Sequence, residues 1–363
     1  MKKVGIITYH FSQNYGAVLQ CYALQTYLIQ RGYDVTVFDF VSEKQHKNND
    51  VVKHGTSIKT IAANLCLLPF RVCIRKKNMR YVEFCTEELH MTPHFSSIGE
   101  LRCYIEENSY DIIISGSDQV LNPNIDDFEP AFLYPFQTSA KKVAYAASTG
   151  NAVPEDIQKV REYLLDFENI SIREEKDLEK FDAELATQMS IVCDPVMLLR
   201  ADVWSSMLRE KNDPPYLVCY FLCKKLFGAE FRIAQKISEE FGLELKVINA
   251  RFGPNSLRKG TIFDAGPREF VNLIANASYV CTDSFHGTLF SLIFHKCFLC
   301  LDTRQNQNDT RKIGLLESVG AIDAYQNVED ELRICSFLDY KKIDTKIEEA
   351  RTVAAKFLEL LDE

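Results

Sequence analysis

Short apolar runs alternate with helical patterns along this chain, and this alternation constrains the fold more than any other feature. The first apolar run, residues 3–8, is followed by a polar loop and by a helical pattern that ends at Gly32. A second apolar run, residues 35–40, follows at once. This order predicts a β-α-β unit whose polar loop, residues 9–16, lies at the carboxyl end of the first strand.

The alternation continues and then restarts once. The first series of apolar runs goes on at residues 112–114, 143–147, 170–172 and 191–192. After a break at two adjacent prolines, a second series covers residues 216–222, 243–248, 279–282 and 298–301. Because the 363 residues exceed the roughly 250–300 at which single hydrophobic cores stop growing, we predict two doubly wound α/β domains. The predicted units are an N-terminal domain over residues 1–212, a C-terminal domain over residues 213–340, and a charged helix over residues 341–363 that packs back on the first domain.

Charge and hydropathy restrict the partners of the chain. The formal net charge of -9 disfavours nucleic acid as a general partner, whereas a small anion held by a few arginines is compatible with it. No apolar stretch approaches the ~20 residues that cross a bilayer. Lys2 and Lys3 precede an apolar run, but no small-residue cleavage site follows, so we interpret this run as a strand. We therefore expect a cytoplasmic protein, either free or at the inner face of the membrane.

The cysteines predict neither a disulfide framework nor a metal site. All 12 are scattered through the sequence, many of them in apolar segments, which is typical of reduced thiols in the cytosol. Cys297 and Cys300 form a CxxC pair, but no second pair completes a zinc site.

Two polar segments follow predicted strands of the first domain. Residues 12–17 keep a glycine where backbone amides can approach a ligand, but they lack the three-glycine dinucleotide fingerprint, so no nicotinamide or flavin cofactor is expected. Residues 114–123 are dense in hydrogen-bonding side chains that suit sugar hydroxyls. A structural turn explains the first segment equally well, and an Asx-rich turn explains the second.

One of two further segments contains a candidate anion-binding residue, and the other contains a candidate residue for proton transfer. Arg173 comes directly off an apolar strand, where its guanidinium can clamp phosphate or carboxylate; the alternative is a salt bridge to Glu174, Glu175 or a distant carboxylate. His286 follows another strand at the start of an apolar helix, where the helix dipole favours a neutral imidazole that acts as a base. A buried structural histidine is the alternative.

Two longer segments are less specific. The polar loop over residues 302–311 can close on a substrate and deliver Arg304 or Arg311, or it is a simple solvated connection. Residues 58–80 combine an apolar stretch with five closely spaced basic residues. We interpret them as a buried helix followed by a solvated basic face, with contact to anionic lipid or acidic polymer as the alternative.

The four polar segments, in this order, resemble the polysaccharide pyruvyl transferase family. The resemblance also includes Tyr-Ala-Ala-Ser-Thr-Gly at residues 145–150 and Cys-Asp-Pro-Val-Met-Leu-Leu at residues 193–199, and it runs from about Lys3 to Arg311. It implies two Rossmann-like domains that face a central cleft, as in the glycosyltransferase B architecture. It also implies phosphoenolpyruvate as donor, a sugar as acceptor, and no metal or other cofactor.

The resemblance also implies roles for residues. The arginine of the family matches Arg173, and its histidine matches His286; some branches carry an arginine two positions before that histidine, where this chain has Ser284. We therefore expect His286 as the acid-base residue, Arg173 as the anion clamp, and Asp118 as a sugar anchor or second base. The expected substrate-binding residues are Asn14, Tyr15, Gly16, Ser117, Gln119, Asn122, Ser284, Gly287, Thr288, Arg304 and Arg311.

The expected reaction forms a cyclic pyruvate ketal on a sugar of a polysaccharide or of its precursor and releases phosphate. The acceptor is either free or lipid-linked. The alternatives are a nucleotide-sugar-dependent glycosyltransferase, since fold does not fix function, and a non-catalytic carbohydrate-binding relative.

Overall fold

The computed structural model describes residues 1–49, 57–209, 213–223, 227–250, 258–302 and 311–363. These residues form two six-stranded sheets in which every described strand pair is parallel. The strands of the first sheet are β1 (Lys3–Ile7), β2 (Asp34–Val37), β3 (Ile112–Ser115), β4 (Lys141–Ala147), β5 (Asn169–Ile172) and β6 (Met189–Ile191). The strands of the second sheet are β7 (Tyr216–Tyr220), β8 (Glu244–Ile248), β9 (Thr261–Ile262), β10 (Tyr279–Thr282), β11 (Cys297–Asp302) and β12 (Tyr325–Asn327).

Both sheets are doubly wound, which confirms the predicted fold class. The strand orders are β2-β1-β3-β4-β5-β6 and β12-β11-β10-β7-β8-β9. The central strands β3 and β10 are buried along their whole length, as expected for parallel strands covered by helices on both faces. The first sheet ends at Ile191 and the second begins at Tyr216. Residues 210–212, at the predicted domain boundary, lie outside the described residues.

Helices connect the strands and cover the sheets. Those before residue 210 are α1 (Tyr15–Gln30), α2 (Glu43–Asn49), α3 (Ile58–Leu67), α4 (Arg71–Glu88), α5 (Ile98–Glu107), α6 (Pro154–Ile157), α7 (Arg161–Leu164), α8 (Ala183–Ala186), α9 (Pro195–Leu198) and α10 (Ala201–Ser205). Those after it are α11 (Phe227–Phe241), α12 (Pro267–Ala275), α13 (Phe285–Ile293), α14 (Arg311–Val319) and α15 (Tyr340–Glu359). None of these helices is both long and apolar enough to span a bilayer.

Helix α1 belongs to the cores of both domains. The Asn14 side chain caps its start, and Gly32, with φ of 88°, follows its end in the left-handed conformation that glycine adopts without strain. Leu24 and Leu28 pack with the first sheet, whereas Tyr15 and the residues one turn further on belong to the core cluster of the second domain. The two domains therefore share continuous apolar packing around this helix.

Helix α15 packs on the first domain. Ala354, Phe357 and Leu358 join the core cluster that contains β1 residues. The Lys2 ammonium donates to the Leu361 carbonyl at 2.7 Å, which ties the two chain ends together.

The predicted buried helix in residues 58–80 is wrong for α3, whereas the predicted solvated basic face is present in part, since Arg71 and Arg75 on α4 are exposed. Ile61 and Leu65 on α3 are exposed, whereas the basic Lys77 on α4 is buried. The physical reason is that α4 directs Ile74 and Tyr81 into the protein, so α4 supplies buried apolar contacts of this segment while Ile61 and Leu65 on α3 face outward.

A candidate active site between the two domains

Arg173 follows β5 and is buried, with its side chain only 3% exposed. Its Nε donates to Glu174 Oε1 at 2.6 Å, and its Nη1 donates to Asp194 Oδ2 at 2.6 Å. The guanidinium also lies over the Phe285 ring of the second domain, 4.3 Å from the ring centroid. Salt bridges to Glu174 and to a distant carboxylate are therefore present. One nitrogen, Nη2, is buried without a hydrogen-bond partner.

Asp194 is the candidate site residue to which sequence reasoning assigned no role. It caps α9 through Oδ1, which accepts from the Val196 amide, while its Oδ2 faces three side chains. These are Arg173 Nη1 at 2.6 Å, Ser117 Oγ at 3.4 Å and His286 Nε2 at 3.5 Å. The Asp-Pro pair after an apolar strand is a signal for a helix start. That signal does not reveal that the other carboxylate oxygen, Oδ2, faces His286 of the second domain.

His286 is the second residue of α13, a helix that the Ser284 side chain caps. Its Nε2 lies near Asp194 Oδ2 at the outer limit of hydrogen-bond distance, and it is a buried nitrogen without a hydrogen-bond partner. The predicted position at a helix N-terminus is confirmed. The partner carboxylate comes from the opposite domain.

Gly16 sits directly against the imidazole of His286. A methyl group at Gly16 would lie 2.0 Å from His286 Nδ1, so any side chain at this position would displace the ring. Because Gly16 is in the first turn of α1 and His286 is in the first turn of α13, the N-termini of two helices meet here. Unpaired amides and aligned dipoles make helix N-termini favourable for an anion.

The charged groups of this cluster shift one another's pKa values. Burial alone would raise the pKa of Asp194, but His286 and Arg173 outweigh it and hold that pKa well below its usual range. Burial would lower the pKa of Arg173, but Glu174 and Asp194 outweigh it and raise that pKa further. Burial raises the pKa of Glu174 despite the nearby Arg173. Asp194 is therefore the firmly ionised partner, and Glu174 accepts a proton more readily.

The loop after β3 reaches the same region through Ser117 and Asp118. Asp118 has φ of 78°, a backbone conformation that strains any residue except glycine, and strain of this kind concentrates at functional sites. Its Oδ1 accepts from the Gln119 amide at 2.9 Å, and its charge contributes to the raised pKa of Arg173. Asn122 donates to Gln119 Oε1 at 3.1 Å, so this pair supports the loop.

Among the other predicted substrate-binding residues, some are buried and one is exposed. Tyr15 is fully buried, and its hydroxyl donates to the Ala265 carbonyl at 2.9 Å. Asn14 is exposed and caps α1. The remaining residues of the α13 start, Ser284, Gly287 and Thr288, are buried and hydrogen-bond within the turn. Arg304 lies outside the described residues.

A cavity of about 490 Å³ adjoins this cluster. Arg173, Asp194 and Phe285 form one part of its lining, and Arg311 at the start of α14 forms another. Arg311 therefore lies on the wall of the same cavity as Arg173 and Asp194. His286 and Asp118 are not among the lining residues, so the cavity adjoins the reaction centre that we propose below and does not contain it.

A metal centre is not visible in this part of the molecule. Within the ranges that the structure describes, no group of three or more His, Cys, Asp or Glu side chains is arranged to hold a metal ion. All 12 cysteines lie in those ranges and carry free thiols.

Solved structures of other proteins share this two-domain architecture. UDP-GlcNAc 2-epimerase from Methanocaldococcus jannaschii is similar, with a TM-score of 0.51 and 12% identity over 96% of this chain and 92% of that chain. The enzyme of the same name from Neisseria meningitidis, solved bound to UDP-GlcNAc, has a TM-score of 0.50 and 10% identity over 98% of this chain and 94% of that chain. At these identities the similarity shows the fold alone: two Rossmann-like domains around a cleft.

The family is given by sequence. The family model of polysaccharide pyruvyl transferase matches residues 14–305, which is most of the chain, and the chain belongs to this family. The match confirms the resemblance drawn from the four polar segments, and it makes the protein a transferase of polysaccharide biosynthesis. No curated protein matches the chain in sequence.

Proposed function

We propose that this protein transfers the pyruvate unit of phosphoenolpyruvate onto two hydroxyls of a sugar, which forms a cyclic ketal and releases phosphate. One observation carries the proposal. Arg173 and His286 come from opposite domains and face the same oxygen, Asp194 Oδ2, through Arg173 Nη1 and His286 Nε2. Arg173 Nη2 and His286 Nε2 are both buried without a hydrogen-bond partner.

Unpartnered buried nitrogens at one place favour an anionic ligand. Buried polar atoms in proteins are mostly hydrogen-bonded, so exceptions on two side chains that face one carboxylate favour a missing partner at that place. Phosphoenolpyruvate supplies both a carboxylate and a phosphate, and the facing starts of α1 and α13 add to the attraction. Because both nitrogens are closed off from solvent, the donor gains access when the two domains separate slightly.

The reaction balances as follows. A proton adds to the methylene carbon of the donor, and the central carbon becomes electrophilic. A sugar hydroxyl adds to this carbon and gives up its proton, the bond between carbon and the phosphate oxygen breaks, and a second hydroxyl adds and gives up its proton. Of the two hydroxyl protons, one accounts for the proton that the methylene carbon gains when it becomes a methyl group, and the other leaves on phosphate.

His286 is the group that moves these protons in our proposal. Its Nε2 faces Asp194, whose carboxylate can orient the ring and stabilise the imidazolium that forms when His286 takes a proton. A positioned acid-base group contributes roughly 10²- to 10⁴-fold to the rate. Arg173 neutralises the donor, and its charge is less compensated where Glu174 holds a proton.

Asp118 is the proposed sugar anchor or second base. It is the charged residue of the loop that also brings Ser117 to Asp194, so a hydroxyl held by Asp118 would lie on the first-domain side of the donor. Arg311, on the cavity wall, is the proposed second contact for the donor.

The test is incubation of the protein with phosphoenolpyruvate and a panel of nucleotide-linked and lipid-linked hexoses. We expect phosphate release together with a ketal on one acceptor, read by mass spectrometry. His286→Ala should lower turnover by roughly 10²- to 10⁴-fold with a smaller effect on donor binding. The matched control is His90→Ala, because His90 is exposed and lies outside the site.

Two results would contradict the proposal. Transfer of hexose from a UDP-hexose without pyruvate transfer would make the protein a glycosyltransferase. Binding of phosphoenolpyruvate without phosphate release across the whole panel would make it a binding protein.

A further inference from the structure

The densest run of exposed large apolar side chains in the described chain lies on α3 and α4. Ile61 is 50% exposed, Leu65 58%, Leu68 52% and Val72 78%. Single exposed apolar residues are common on protein surfaces, but a contiguous group marks an interaction surface.

The spacing of these residues places them on continuous helical faces. Ile61, Leu65 and Leu68 follow one another at intervals of four and three, which is one side of a helical path. On α4, Val72 and Met79 continue the outward face, and Met79 is 51% exposed. The inward face of α4 also carries apolar residues, among them Ile74 and Tyr81. Apolar side chains therefore lie on both the inward and the outward side of this helix.

Basic residues are concentrated in this segment, although Lys77 is buried and Lys76 pairs with Asp264. Residues 58–82 contain six Lys or Arg and no Asp or Glu, in a chain whose formal net charge is -9. Arg71 and Arg75 are exposed, one helical turn apart, on either side of Val72. In the described part of the chain neither of them forms an ion pair.

The surface is fixed in place next to the candidate active site. Lys76 pairs with Asp264 of the second domain at 2.6 Å, which holds α4 against that domain. Asn78 on α4 accepts a hydrogen bond at 2.9 Å from Gln13, in the loop that carries Gly16. A partner that binds this surface therefore lies beside the loop at the start of α1.

We propose that this surface, formed by Ile61, Leu65, Leu68, Arg71, Val72, Arg75 and Met79, docks on an anionic lipid bilayer. The apolar side chains insert at the boundary between headgroups and acyl chains, and the two arginines bind lipid phosphates. Charge complementarity selects this occupant, because the net charge of -9 repels anionic lipid whereas this locally basic, apolar surface attracts it. The proposal does not depend on pyruvyl transfer.

The test is sedimentation of the full chain with vesicles of phosphatidylcholine alone and with added phosphatidylglycerol. We expect binding to the anionic vesicles that weakens as salt is raised. The double variant Arg71→Glu, Arg75→Glu should reduce partitioning on the order of thirtyfold or more. Its matched control is Arg232→Glu, Lys236→Glu, the same charge change one helical turn apart on exposed positions of α11.

The apolar contribution has a separate test. Val72→Ser with Leu68→Ser should reduce partitioning about tenfold, whereas Val153→Ser, at another exposed valine, should not. Three results would overturn the proposal: equal binding to neutral and anionic vesicles, variants that bind like the wild type, or no vesicle binding together with a dimer that Val72→Ser disperses. The last would make the surface an interface between two copies of this chain.

Discussion

Two of the junctions between the domains differ in the buried polar atoms that they leave without a hydrogen-bond partner. In the aromatic junction, formed by Tyr15, Tyr81, Tyr220 and Phe270, Tyr15 stacks on Phe270 at 4.5 Å between ring centroids. In the charged junction, formed by Arg173, Glu174, Asp194 and His286, two nitrogens have no hydrogen-bond partner.

This difference suits the aromatic junction to holding the domains together and the charged junction to the ligand binding that we propose. The stacked rings are stabilised by apolar burial and ring contacts, and the buried polar atom without a hydrogen-bond partner among them is the uncharged Tyr81 hydroxyl. Buried donors without acceptors cost free energy until a ligand arrives. Tyr15 and Gly16 are neighbours in the chain, yet Tyr15 serves the first junction and Gly16 makes room for the histidine of the second.

The largest expected effect comes from breaking the charged junction. Arg173→Gln leaves Asp194 and Glu174 buried without their cation, so we expect a loss of about 3–5 kcal/mol in the free energy of unfolding, measured in urea. The matched control is Arg161→Gln. Arg161 also binds two carboxylates, those of Asp182 and Glu184, but near the surface where water screens them, so its loss should be much smaller. Equal losses would contradict the account.

A buried carboxyl without a dedicated cation sharpens this contrast. Glu230 on α11 is fully buried, and burial followed by repulsion from Asp283 raises its pKa to about 9. The folded state then keeps a proton that the unfolded state loses above its ordinary pKa of 4.5, so stability falls as pH rises between those two values. Glu230→Gln should remove this fall and stabilise the protein at pH 8 on the order of a few kcal/mol.

The control for this prediction is Glu239→Gln, an exposed position on the same helix. Urea unfolding at pH 5 and pH 8 is the measurement. A pH dependence that persists unchanged in Glu230→Gln would show that Glu230 is ionised in the folded protein.

The next effect concerns the fit between Gly16 and His286. Gly16→Ala displaces the imidazole from its present position, and a displacement of about 1 Å at a reacting group can cost about 10²-fold in rate. The matched control is Gly99→Ala in α5, where no atom lies within 4 Å of the added methyl group. Turnover with phosphoenolpyruvate should fall only in the first variant. Full activity of Gly16→Ala would mean that the position of His286 does not matter.

The smallest effect tests the aromatic junction. Tyr15→Phe removes the hydrogen bond to the Ala265 carbonyl, so we expect a loss of about 0.5–1.5 kcal/mol in stability and little change in kcat/KM. The variant keeps the ring stack. A large fall in kcat/KM at unchanged stability would show that Tyr15 contacts the substrate after all.

The fold was predictable because strand periodicity is a local property. Apolar runs such as residues 112–114 and 279–282 become buried parallel strands, and polar residues that follow them meet at the carboxyl edge of a sheet. Arg173 and His286 were singled out as candidate site residues in this way. Each of them directly follows such a run or begins the helix after it.

Pairings across the two domains were not predictable in the same way. Nothing near Asp194 in sequence shows that its Oδ2 reaches both Arg173 and His286, because these contacts depend on how the domains dock. Likewise, a tyrosine in a polar loop can face a ligand or a partner domain, and the sequence pattern of Tyr15 is the same in both cases. The exposure of α3 depends on the packing of α4 and was predicted wrongly for the same reason.

The central claim is that Arg173 and His286 bind one anionic donor between the domains. A crystal structure of the protein with phosphoenolpyruvate tests it most directly. The account predicts donor oxygens within about 3 Å of both Arg173 Nη2 and His286 Nε2. A donor bound elsewhere, with both nitrogens still unpartnered, would contradict it.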